Sequence, residues 1–213
     1  MITKGKRSIS IFMMIIAVLI ALYISVKVAI NSTFWMDDKV AQLFSRVPAS
    51  LHPFFINITE MGDKKGIGGA ALIMLAWLLI KKRNFIGASA FVLALGIGNE
   101  ASKYLKDSFT RPRPSLEHLV HVTSYSYPSG HAMVGMIVYF FSAYLVMEAI
   151  HSKNGKILVV TLAAILLILI GASRIILQVH YPSDVLGGYA LGYIWVMIWI
   201  ILYKFFKKKL RNG

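Results

Sequence analysis

Residues 157–206 read ILVVTLAAILLILIGASRIILQVHYPSDVLGGYALGYIWVMIWIILYKFF. Two apolar runs, about 157–172 and 185–206, have the length and character of helices that cross a bilayer. Between them lies SRIILQVHYPSD, Ser173 to Asp184, with a serine, an arginine, a histidine and an aspartate where a bland turn needs none. A guanidinium presents a planar fork of donors suited to phosphate oxygens. A histidine with a carboxylate four residues on is an oriented imidazole, fit to act as base or nucleophile. The stretch therefore reads as half of a phosphate site. On this segment alone a second reading stands beside it, with Arg174 anchoring a helix end at a membrane interface and His180 and Asp184 capping a turn.

Working outward, further apolar runs occupy about 9–30, 66–80, 85–101 and 132–150. The 213 residues thus predict an all-α polytopic membrane protein, a single domain over 1–213 with six transmembrane helices. A composition of 57% apolar and 15% charged residues belongs to that class and not to a soluble domain. The first run follows a basic MITKGKRS, but it is longer than a secretory signal core and lacks a small-residue cleavage site, so it reads as a retained helix. Between the first two spans, Asp37 and Asp38 precede Val40, Leu43, Phe44 and Val47 on one helical face, and Pro48 ends the pattern. That segment is either an outer interfacial helix beside a substrate entrance or a surface helix packed on the bundle. Gly188 and Gly192, with Gly187 alongside, mark the last span for close packing inside the bundle, dimerisation being the lesser reading.

A net charge of +14 raises the question of nucleic acid, but the basic residues flank apolar runs and short loops and form no continuous stripe. No nucleic-acid partner is expected. The absence of cysteine excludes thiol catalysis, disulfides and thiolate metal sites. Lys4, Lys6 and Arg7, the connections with Lys81, Lys82, Arg83, Lys153 and Lys156, and the tail from Lys204 to Arg211 gather the basic residues on one side, with Glu148 as its acid. The positive-inside rule then makes both termini cytoplasmic and the odd connections external, on a multi-pass protein of the cell membrane.

Two more stretches of the external side carry chemistry. In KDSFTRPRPS, Lys106 and Arg113 lie seven residues apart, and Pro112 and Pro114 stiffen the backbone around Arg113. Two held cations neutralise phosphoryl oxygens; the rival reading is a patch that binds anionic headgroups nonspecifically. In YPSGHAM, Ser129 stands where an N-cap belongs, Gly130 lets backbone approach an anion, and His131 lies beside that cradle, suited to proton transfer. The rival there is an ordinary capped helix with an interfacial histidine. His52, His118 and His121 read as loop residues and His151 as a helix-end cation, while Glu100, next to Asn99, stands where it could orient Lys103 or Lys106.

Lys106 with Arg113-Pro114, Pro128-Ser129-Gly130-His131, and Ser173-Arg174 with His180 and Asp184 resemble, in order and spacing, the three signature motifs of the type 2 phosphatidic acid phosphatase family. The six-helix pattern extends that likeness across nearly the whole chain. The resemblance implies that His180 attacks phosphorus and becomes a phosphohistidine, with Asp184 fixing its tautomer. It implies that His131 protonates the departing oxygen and then activates water. Lys106, Arg113, Arg174, Ser129 and the Gly130 amide would hold the phosphoryl oxygens, with Ser173 as a lesser contact. No metal and no cofactor are expected, since the outer connections contain no ligand cluster of zinc or two-metal type.

The expected substrate is a lipid phosphate or diphosphate of the bilayer, met at the outer leaflet. Undecaprenyl diphosphate leads because it is generated on that face; phosphatidylglycerophosphate and phosphatidic acid are the alternatives. A protein that only binds or translocates lipid phosphates would use the cations but has no need of His131, or of His180 in register with Asp184. A phosphotransferase, with an acceptor other than water, would present the same residues. Vanadate haloperoxidases share the constellation by resemblance, but the hydrophobic spans argue against that soluble class.

Overall fold

The computed structural model describes residues 4–212. Residues 1–3 and 213, and the side chains of Lys4, Lys6, Arg7 and Arg211 on which part of the orientation reading leans, lie outside the described residues. All regular structure among the described residues is helical: α1 (Lys4–Ala29), α2 (Trp35–Phe44), α3 (His52–Glu60), α4 (Lys64–Ala76), α5 (Phe85–Phe109), α6 (Gly130–Gly135), α7 (Phe141–Ala149), α8 (Lys153–Ile176) and α9 (Pro182–Asn212). Wider π-type turns extend α4 to Lys81 and join α6 to α7 through Met136–Phe140, so that 130–149 is one continuous rod.

Among the described residues, five helices are long and apolar enough to cross a membrane: Ser8–Ala29, Phe85–Phe109, Gly130–Ala149, Lys153–Ile176 and Pro182–Leu210. Six were expected, and the run at 66–80 stands outside this group. Its helix is short, and Lys64, Lys65 and Lys81 crowd its two ends.

Several helix ends lie beyond the limits of the apolar runs, those carrying Lys106, Arg174 and Asp184 among them. α5 continues to Phe109, stopping where Thr110 turns left-handed at φ 47° ahead of Pro112 and Pro114, so Lys106 sits on its last turn. α8 runs to Ile176, which puts Arg174 in its last turn. α9 starts at Pro182, whose fixed φ suits a first helical position, and Asp184 falls in its first turn.

Lipid tails are as apolar as leucine, so close packing and polar bridges hold such a bundle together more than water exclusion does. α9 is the centre, packing on α1, α5 and α6. A Cβ on Gly188 would lie 2.7 Å from the Ser129 carbonyl oxygen, and one on Gly192 would lie 2.7 Å from that of Met133. The glycines thus bring the α9 and α6 backbones into direct contact, a seam within one chain. Deeper in the bundle Phe91, Ile137, Phe141 and Val196 are fully buried, with the Phe91 and Phe141 rings 5.9 Å apart, and Trp195 Nε1 donates to the Ala94 carbonyl at 2.8 Å.

Candidate active site

The ends of α5, α6, α8 and α9 meet with the 110–129 connection around a cavity of about 540 Å³. Lys106, Arg113, Gly130, His131, Arg174 and His180 line it, so all three motif stretches converge on one space. Thr59, Asp63 and Lys64 close it from the α3–α4 side, and His121, Ser124 and Lys103 complete the wall. Asp184, Ser129 and Ser173 are buried behind that wall.

His180, 3% exposed, sits in the turn between α8 and α9. Its Nδ1 lies 3.5 Å from Asp184 Oδ2. Ser126 Oγ donates to the same carboxylate oxygen at 2.5 Å and stands 3.4 Å from His180 Nδ1. The Tyr181 amide donates to Oδ2 at 2.9 Å, so Asp184 also reaches back to cap the helix it begins. A carboxylate beside Nδ1 assigns the ring proton to that nitrogen, which leaves a lone pair on Nε2. Burial, and then the charges of Arg174, Lys106 and Arg113, push His180 well below its usual value of 6.5. That shift favours the neutral imidazole.

The three cations are held by neutral groups. Lys106 Nζ donates to the Tyr125 carbonyl at 2.6 Å. Arg113 donates from Nε to the Ser124 carbonyl at 2.7 Å and from Nη1 to the Val179 carbonyl at 2.5 Å, and Nη1 lies 3.4 Å from His180 Nε2. Arg174 donates from Nη1 to Thr59 Oγ1 at 2.6 Å, while its buried Nε has no hydrogen-bond partner among the described residues. Among the described residues no carboxylate forms an ion pair with any of the three. Burial pulls the Arg113 guanidinium below its usual value, with the charge of Asp184 opposing the shift. Asp63 and Glu60 also line the cavity, but neither pairs with these three cations, and cations gathered in a buried space without an ion-pair partner are costly until an anion enters.

At the start of α6, the Gly130 position faces Lys106 across ordinary contact distance, with Lys106 Cε 3.7 Å from where a Cβ would stand. Ser129 occupies the N-cap position, but its hydroxyl makes no capping bond and is buried without a partner. Ser173 Oγ donates to the Ile170 carbonyl at 2.6 Å, within its own helix, and is not on the cavity wall. His131 packs against the α3–α4 turn, where Gly62 makes room: a Cβ there would lie 2.8 Å from His131 Cδ2.

Residues 87–209 match the model of the PAP2 superfamily. The chain belongs to the PAP2 superfamily. It is a membrane phosphatase by that membership. This PAP2 chain is 31% identical over 201 residues to phosphatidylglycerophosphatase B of Bacillus subtilis strain 168, an alignment covering 78% of this chain and 97% of that protein. It is 33% identical over 123 residues to the undecaprenyl-diphosphatase of Sulfolobus acidocaldarius, covering 54% of each. A crystal structure of a transmembrane PAP2-type phosphatidylglycerolphosphate phosphatase from Bacillus subtilis superposes with a TM-score of 0.78 at 27% identity, over 91% of this chain and 96% of the other. LpxE of Aquifex aeolicus shares the fold, with a TM-score of 0.60 at 19% identity over 79% of this chain and 96% of the other.

Around the PAP2 motifs stand residues that sequence reading passed over. Arg111 donates to Asp184 Oδ1 at 2.5 Å, yet only Arg113 of the RPRP run was singled out, by its spacing from Lys106. Ser126 is three residues before Ser129 and carried no signal of its own. Asp37 does open α2 as an N-terminal acid, but it is also buried against Ser183 and Arg111. His121, read as a plain loop residue, lies on the cavity wall. Glu100 accepts from Lys103 at 2.7 Å and does not reach Lys106.

Proposed function

We propose that this PAP2 enzyme hydrolyses a lipid phosphate or diphosphate at the outer leaflet, without a metal, through a phosphohistidine on His180. One observation carries the reading: His180, whose Nε2 lies 3.4 Å from Arg113 Nη1, borders a cavity whose wall supplies three cations with no carboxylate ion-pair partner among the described residues. A phosphoryl group seated among Lys106, Arg113 and Arg174 has its charge neutralised where it grows in the transition state. The Nε2 lone pair forms the N–P bond while the P–O bond to the lipid breaks, and His131 gives its proton to the departing oxygen. Asp184 balances the charge of the phosphorylated ring. His131, now neutral, takes a proton from water as that water displaces the histidine.

For the substrate, phosphatidylglycerophosphate and undecaprenyl diphosphate stand level. The first is favoured by the name of a relative aligned over nearly its whole length. The second is favoured by an outward-facing site and by Lys64 and Lys103, further cations on the wall for a second phosphate. Phosphatidic acid follows. In this reading the domain is one unit over 1–213 with both termini cytoplasmic and α2 at the outer interface. The stretch from Lys64 to Lys81 is the sixth span, roughly 27 Å long at 1.5 Å per residue and flanked by lysines.

The test is phosphate release from the three lipids by purified protein in detergent with excess chelator, alongside His180→Ala and trapping of phosphoprotein by an alkaline denaturing quench. Release that resists chelator, vanishes in His180→Ala and proceeds through an acid-labile phosphoprotein is the expected result. Turnover surviving in His180→Ala would overturn it. Lipid binding with no release points to a carrier, and phosphate recovered on another acceptor points to a transferase. A reporter fused after Gly213 is expected to behave as cytoplasmic.

A further inference from the structure

We infer that Asp37 and Arg111 are positioning residues for the His180–Asp184 pair, and that α2 contributes to catalysis through them. The inference rests on the phosphohistidine reading above. Arg111 bridges two carboxylates: Nη1 donates to Asp184 Oδ1 at 2.5 Å and Nη2 to Asp37 Oδ2 at 2.8 Å. Ser183 lies between them, its hydroxyl accepting from Arg111 Nη1 and donating to Asp37 Oδ2, both at 2.8 Å. Its amide donates to Asp37 Oδ1 at 2.9 Å. The Arg111 guanidinium carbon lies 5.4 Å from the centre of the Phe34 ring and 4.3 Å from that of Tyr181. Asp37 is 5% exposed and Asp184 fully buried, so little solvent screens these charges.

Two consequences follow from the arrangement. The first is mechanical. The amides of Tyr181 and Ser183, at the start of α9, are each taken by a carboxylate, one from α9 itself and one from α2. The turn carrying His180 is thereby fixed in orientation. The second is electrostatic. Asp184 with Arg111 alone is a neutral pair and has no net charge to set against the ring when Nε2 bonds phosphorus. Asp37 restores one negative charge to the cluster, and Asp184 keeps its strength as acceptor from Nδ1. A helix distant in sequence thus supports the reacting nitrogen.

The experiment compares Asp37→Asn, Arg111→Gln, the double variant, His180→Ala and Asp38→Asn, with turnover counted per site that binds orthovanadate, so that misfolded protein is not scored. Asp38 also lines the outer pocket holding Asp37 and Arg111 but makes no bond to Arg111, and its variant is expected to match wild type. Asp37→Asn is expected to lower kcat roughly ten- to hundredfold, as loss of an outer partner of an oriented imidazole does, with KM within about twofold. The double variant leaves Asp184 as the single charge of the cluster, and is expected to turn over several-fold faster than Asp37→Asn. A merely structural role predicts the reverse order. Full kcat in Asp37→Asn, a change confined to KM, or a double variant no faster than the single one would overturn the inference while His180→Ala remains dead. Turnover by His180→Ala would instead sink the phosphohistidine reading, and this inference with it.

Discussion

Each end of the bundle holds an acid in a polar network, and the two networks are completed differently. At the end away from the cavity, Glu148 accepts from Tyr144 at 2.9 Å, Tyr203 at 2.8 Å and Lys207 at 2.7 Å, while Asn84 donates to Tyr203 at 3.1 Å. One cation meets one acid, and the hydroxyls fill the remaining positions. At the cavity end Asp184 is as well supplied, by Arg111, Ser126 and the Tyr181 amide, but Lys106, Arg113 and Arg174 stand beyond it with only neutral partners. The closed network joins helices. In the proposed function the open one receives the substrate's phosphoryl group, and stability is given up there for chemistry.

Variants at the two ends should therefore behave in opposite ways. His180→Ala has the largest expected effect, a loss of roughly 10⁴-fold or more in kcat, read as phosphate release and as absence of trapped phosphoprotein. Lys106→Met should lower kcat by roughly 10²–10³-fold, and yet raise the thermal midpoint in detergent by a few degrees, because an apolar stem replaces a cation that has no acid beside it. A lowered midpoint would break the comparison. Glu148→Gln should do the reverse, leaving kcat within about twofold and lowering stability by roughly 1–2 kcal/mol, measured by thermal inactivation.

The smallest effect is a slope. His180 titrates well below 6.5 when folded and near 6.5 when unfolded, so below that pH the unfolded chain binds the extra proton. Stability should rise with pH through that window and fall as pH drops, by at most about 1.4 kcal/mol per unit from this residue, and the slope should flatten in His180→Gln.

The stretches that meet at the cavity were readable because each motif is local: Lys106 and Arg113, Ser129 to His131, and Arg174 to Asp184 each occupy a short stretch with fixed spacing. Their helical setting was readable from apolar runs, though the runs stop short of the true helix ends. On hydropathy α5 ends near Ala101, yet it continues to Phe109, with the polar residues Ser102 and Lys106 of its last turns buried. Side-chain direction was not readable. The resemblance makes Ser173 a lesser phosphate contact, and its hydroxyl donates to the Ile170 carbonyl. Asp37 and Ser183 are far apart in the chain and meet only through the packing of α2 on α9, a contact that no periodicity encodes.

The glycine seam of α9 has a meaning for redesign. Gly188 and Gly192 press the α9 backbone onto α6, so the helix bearing Asp184 and the one bearing His131 are packed backbone to backbone. The remaining wall, from the α3–α4 turn and the 120–124 segment, has no share in that seam. New headgroup preferences are best sought there, by exchanging those segments between relatives, where a changed contour leaves the reacting atoms in register.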